Sequence, residues 1–121
     1  MARSEIPVVE VIRDGVTAVA PVISDAVNHH YFKGNEGKTW LEIESTDAGT
    51  QTVSVLASPR METDGLEVLP HEFDCPPGTV TKAGPWRMRT FNQDAGEGSV
   101  FVNVPVSTTL KLRAFYMEPA T

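Results

Sequence analysis

The chain is poor in the features that usually narrow a protein's chemistry. Its 121 residues include a single cysteine, Cys75. One thiol excludes an intrachain disulfide and any zinc site built on paired cysteines, and it suits synthesis in a reducing cytoplasm. No run approaches the roughly 18 apolar residues of a membrane-spanning helix. The start, Met1-Ala2-Arg3-Ser4-Glu5-Ile6-Pro7, lacks a basic stretch followed by an uninterrupted apolar one, so no signal peptide is expected. Basic runs are missing too. Lys33, Lys38, Lys82, Arg87, Arg89, Lys111 and Arg113 are scattered among acids, and the formal charge is −6. Nucleic-acid affinity comes largely from Lys and Arg neutralising phosphates, so neither nucleic acid nor membrane is an expected partner. There is no Gly-x-Ser-x-Gly elbow and no Ser or Cys in a nucleophile context. The reading is of a non-enzymatic protein without a cofactor.

What is present is a β pattern. Gly34-Asn35-Glu36-Gly37 leads into Lys38–Glu44, where Thr39, Leu41 and Ile43 share one face and Trp40, Glu42 and Glu44 the other. The loop Ser45–Gly49 and the alternation of Thr50–Ala57 predict a hairpin with that strand. Asp64-Gly65 marks a turn, with Leu66, Val68 and Phe73 supplying apolar contacts through a proline-broken region. Pro76-Pro77-Gly78 precedes a strand over 79–83. Trp86–Phe91 reads as another, with Trp86, Met88 and Thr90 on one side. Val100, Val102 and Val104 give the clearest period of two, and Thr108–Met117 closes the domain with Leu110, Leu112, Ala114 and Tyr116 inward. The prediction is an all-β antiparallel β-sandwich of six to seven short strands, Ig-like or jelly-roll-like, with no helix. Residues 34–121 form this domain. Residues 1–33 read as an N-terminal arm, apolar enough to lie against the sandwich or a neighbouring subunit, with a short edge strand after Pro7.

Candidate sites are sparse. His29 and His30 are adjacent, so in extended chain they face opposite ways, and His71 is remote; a three-histidine metal site is disfavoured. Asn92–Glu97 offers oxygen ligands near a glycine without calcium-loop spacing. Cys75 reads as a packed residue. Trp40, Trp86 and Tyr31 are candidates for a sugar-binding aromatic platform, against the simpler alternative that Trp40 packs under the arm or at an interface. For partner binding the candidates are Val8, Val9, Val11 and Ile12 of the arm, with Tyr31, Trp40, Glu42 and Glu44.

From Asn28 onward the chain resembles a family of small proteins encoded beside the major capsid protein in tailed bacteriophages. The resemblance rests on Asn35-Glu36-Gly37-Lys38-Thr39-Trp40-Leu41-Glu42-Ile43, then Thr52-Val53-Ser54-Val55, Asp64-Gly65-Leu66 and Pro76-Pro77-Gly78. Gly84-Pro85-Trp86, Asn92-Gln93 and two closing strands follow in the family's order. It implies a head decoration, or minor capsid, protein that binds the outside of the assembled head, with the major capsid protein as partner, sister subunits as a second partner, and the virion as its location. A head–tail neck or tail component with a similar sandwich is the alternative among virion proteins. A carbohydrate-binding module is the alternative from another class. No catalytic residue carries over.

Overall fold

The computed structural model describes residues 3–17, 19–59, 69–93 and 97–118. Alternation dictates its centre. In β5 (Thr39–Ser45) every second side chain is buried, as are Leu110, Leu112 and Ala114 of β10 (Leu110–Tyr116), where Tyr116 is only partly buried. The two pair antiparallel, with Leu41 opposite Ala114 and Ile43 opposite Leu112. β8 (Val80–Ala83) flanks β5, while β2 (Val8–Glu10) and β3 (Val22–Ile23) lie end to end along the far edge of β10. The facing sheet is centred on β9 (Val100–Asn103). It runs β1 (Ser4–Glu5), β4 (His30–Phe32), β9, β6 (Gln51–Val55), β7 (His71–Cys75). Phe32, Val53, Val55, Val100 and Val102 from the β9 sheet meet Leu41, Ile43, Leu110 and Leu112 from the β10 sheet, all without exposed surface. Each such side chain removed from water contributes about 1.5–3 kcal/mol. The molecule is a β-sandwich.

Several local expectations need correction. The sheets are mixed, because β1 runs parallel to β4 and β2 runs parallel to β10. There are ten short strands among the described residues rather than six or seven. β5 and β6 do not form a hairpin; they belong to opposite sheets. Residues 46–50 arch over the end of the sandwich, fastened by Thr46 N–H to the Thr109 carbonyl (2.8 Å) and by Asp47, which accepts from Gly49 and Gln51. Each of the two strands has one buried face, and those faces bury more area facing each other than side by side. The segment after Trp86 is no strand. Arg87, Met88 and Arg89 are all exposed and offer no face to a sheet, so the chain makes a single helical turn, α1 (Met88–Phe91). The expected turn at Asp64-Gly65, with Leu66 and Val68, lies outside the described residues.

Residues 3–32 run through both sheets of the sandwich. β1 ends at Glu5 on the edge of the β9 sheet, and β2 starts at Val8 on the edge of the β10 sheet. Between them Ile6 enters the core with no exposed surface, where it plugs one open side. Arg3 locks the start of this path. Its guanidinium sits 4.3 Å from the Phe101 ring centre and donates to Asn103 Oδ1 at 2.7 Å and to the His30 carbonyl at 3.1 Å. The expected arm thus docks on its own sandwich. Ile6→Ala is expected to destabilise the protein by about 2–5 kcal/mol in urea unfolding. In limited proteolysis, cleavage within β1, β2 and β4 of the unaltered protein is expected to appear only as the whole domain unfolds, while the exposed turn at residues 12–15 is open to cutting in the folded state.

Candidate functional site

Cross-strand register builds one continuous surface on the outer face of the β10 sheet. Three rows cross it. Val9, Phe115 and Trp40 form the first; Arg113, Glu42 and Lys82 the second; Ile23, Lys111, Glu44 and Val80 the third. Aromatic and aliphatic groups therefore stand at the two ends of a charged middle. Trp40 and Phe115 pack with ring centres 5.9 Å apart. Arg113 bridges toward Glu44 at 3.6 Å and donates through Nε to the Val19 carbonyl at 2.8 Å. That second bond holds Val19 over the face. Beside it an open cleft of about 250 Å³ is lined by Val16, Thr17, Val19, Glu42, Arg113 and Phe115. The ion pair is partly shielded, with the Arg113 side chain 22% exposed and Glu44 39%. Its role is to keep the charges in register.

Of the partner-binding candidates, Val9, Trp40, Glu42 and Glu44 share this surface. Val8 points to the core side, opposite Ala114. Val11 donates its amide to the Tyr116 carbonyl, and Ile12 is half exposed in the turn closed by Gly15. Tyr31 lies on the outer face of the other sheet, opposite Phe101. Trp86 is buried, 3% exposed, and donates through Nε1 to His71 Nδ1 at 3.0 Å. Trp40, Trp86 and Tyr31 thus occupy three different places, and no aromatic platform forms. Arg113, Phe115, Lys82 and Ile23 complete the surface but escape a reading of the sequence, because only register makes them neighbours of Trp40.

The second constellation is a buried polar knot. Asn35 is 1% exposed. Its Nδ2 donates to Asn92 Oδ1 at 2.7 Å and to the Trp86 carbonyl at 3.2 Å, and its Oδ1 accepts from the Gly37 amide at 3.1 Å. Asn92 Nδ2 returns a bond to the Asn35 carbonyl at 3.2 Å. Gln93 continues the network by donating to the Leu56 and Ala57 carbonyls. Two glycines permit the approach. A Cβ on Gly98 would lie 3.0 Å from the Asn35 amide nitrogen, and one on Gly84 would lie 2.8 Å from the Trp86 ring and 3.1 Å from the Thr39 carbonyl. Both glycines also have positive φ, where other residues are strained.

The histidines serve the backbone. His29 Nδ1 accepts the Val104 amide at 3.1 Å, and His30 Nε2 accepts the Asp25 amide at 2.9 Å. His30 is buried, which pushes its pKa below the usual histidine value, while the Ser4 backbone and the Asp25 carboxylate oppose the drop. Its Nδ1 makes no hydrogen bond. Cys75 is fully buried, and burial pushes its thiol pKa up. Among the described residues no group of three or more His, Cys, Asp or Glu is placed to hold a metal ion. Within the segment 92–97, residues 94–96 lie outside the described residues. No helix among the described residues is long and apolar enough to cross a membrane. No protein-family model, curated protein or solved structure matches the chain.

Two outcomes follow from these contacts. Asn35→Ala removes three side-chain hydrogen bonds and strands buried partners, so a loss of about 2–4 kcal/mol is expected in urea unfolding. A proton on His30 Nε2 would displace the Asp25 amide. Because the folded pKa of His30 lies below its unfolded value, its contribution is complete above about pH 6.5 and is lost as pH falls from there toward the folded value. The depressed carboxylates Asp25 and Asp47 lose theirs in a separate, more acidic window, below about pH 4. Unfolding midpoints measured across both windows should therefore fall in two steps, and His30→Gln should flatten the upper one.

Proposed function

We propose that this chain is a structural protein of a bacteriophage virion: a decoration protein that binds the outside of the assembled head and catalyses nothing. The observation that carries the reading is the fate of the motifs behind the family resemblance. Asn35 and Gly37 of the first, Trp86 of Gly84-Pro85-Trp86, and Asn92-Gln93 are far apart in sequence. They meet in one hydrogen-bonded knot. Short turn motifs matched by chance would have no reason to converge. Motifs preserved in order because they build one fold would do so.

The physical character of the molecule supports the same role. With one cysteine it builds its core without an internal disulfide, and it presents a broad sheet face with aromatic groups beside alternating charges. Such a face suits a partner repeated across a shell, since many copies with modest individual affinity act together. The major capsid protein is the proposed partner and the Trp40–Phe115 end of the β10 sheet the proposed contact. Synthesis is in the host cytoplasm and the destination is the capsid surface.

Cosedimentation with expanded empty heads of the phage that encodes it tests this reading. Saturable binding that raises the melting temperature of the heads is expected, and Trp40→Ala should weaken it at least tenfold, as loss of an interface aromatic anchor does. Heads that neither bind the protein nor gain stability from it would overturn the proposal. Binding to the neck or tail in place of the shell would reassign the protein within the virion.

A further inference from the structure

One side of the sandwich is closed by Ile6, but on the other, among the described residues, two strands have no further strand neighbour. β7 borders the β9 sheet there and β8 borders the β10 sheet, joined by the turn at residues 76–79. Hydrogen-bond alternation fixes which backbone groups point outward. Leu56 donates to the Phe101 carbonyl, so residues 52, 54 and 56 turn their backbone to β9 while residues 51, 53 and 55 turn theirs to β7. The partners His71, Phe73 and Cys75 therefore face inward along β7, leaving the N–H and C=O groups of Glu72 and Asp74 directed away from the sheet. By the same count Ser45 donates to the Thr79 carbonyl, so Thr81 and Ala83 pair with β5 and the backbone groups of Val80 and Lys82 point outward.

The two edges carry opposite charge. Glu72 and Asp74 stand exposed on β7, and Lys82 stands exposed on β8. Among the described residues neither Glu72 nor Lys82 makes an ion pair. Charged edge residues commonly block strand addition. Here they block only like against like: β7 on β7 would oppose acids to acids, and β8 on β8 would oppose lysines. β7 against β8 is the attractive combination.

We propose that this chain forms a two-fold dimer in which β7 of each copy pairs antiparallel with β8 of the other. The symmetry axis runs along the strands, between the two sheets. A rotation about that axis carries the β9 sheet to the level of the β10 sheet of its partner, and it leaves height along the strands unchanged. The turn at 76–79 brings Cys75 and Thr79 to about the same height. The register that follows sets Glu72 opposite Lys82 of the second copy and Asp74 opposite Val80. Those are the residues whose backbone groups point outward, and all their side chains project from the outer face. Two strand junctions then merge four sheets into two continuous ones, an isologous and self-limiting assembly. The inference does not depend on capsid binding, and a different measurement reads it.

Sedimentation velocity on the full chain over a concentration series is the test. A monomer–dimer equilibrium weakened by salt is expected. Lys82→Glu places like charges opposite each other at both junctions and should weaken the dimer roughly tenfold, with Glu72→Lys in the same chain restoring much of the loss. Lys82→Pro removes an amide that points away from β5, so circular dichroism should stay native while the dimer is lost. A chain that remains monomeric at millimolar concentration overturns the proposal. So does a trimer, an open polymer, or a dimer indifferent to both Lys82 substitutions.

Discussion

The Asn35 side chain joins three stretches of chain beyond the ends of the strand ladders. Its amide joins the turn before β5, the Trp86 backbone, and Asn92 after the helical turn. Through Gln93 the same network reaches the end of β6. Buried amides are costly when unpaired and rigid when fully paired. Once Asn35 and Asn92 exchange bonds, the positions of Trp86 and of the chain entering β5 are fixed together. Trp86 then packs on Phe32, ring centres 6.0 Å apart, and its indole reaches His71 at the start of β7. The polar knot and the apolar core are thus one mechanical unit.

Much of this was legible in advance, and the reason is local. β5, β9 and β10 bury one face and expose the other, so the period of two survives in their residues. β4 and β7 were hidden because their inward positions are partly polar. His30 is buried between strand ends, and β7 turns only Phe73, Cys75 and a histidine inward. Pairing partners were illegible for a different reason. The 46–50 loop has the length and glycine of a hairpin, and nothing within it records that it arches between sheets. Trp86 alternates with Met88 and Thr90 as a strand would, yet Trp86 alone is buried.

The same distinction applies to the candidate surface. Trp40, Glu42 and Glu44 were visible as the outward face of one strand, since strand alternation needs no knowledge of neighbours. Phe115 and Arg113 became their companions only through the register of β10 against β5. Asn35 and Asn92 stood out as turn residues, and their mutual bonds depend on a closure that spans most of the chain. Electrostatics followed the same rule: the net acidity was plain, but the opposite signs of the β7 and β8 edges emerge only when both edges come to one side.

The order in which the strands are made bears on how this molecule acquires its structure. β10, near the far end of the sequence, sits between β5 and the first strands, β2 and β3. A nascent chain emerging from the ribosome therefore holds β2 and β3 without their strand neighbour until residues 110–116 appear. Val8 and Val22 wait for their strand partner for nearly the whole of synthesis. Folding is consequently a late event dominated by non-local pairing, which makes it slow for a domain of this size. The interval before β10 arrives is when the early strands are most open to mispairing with other chains.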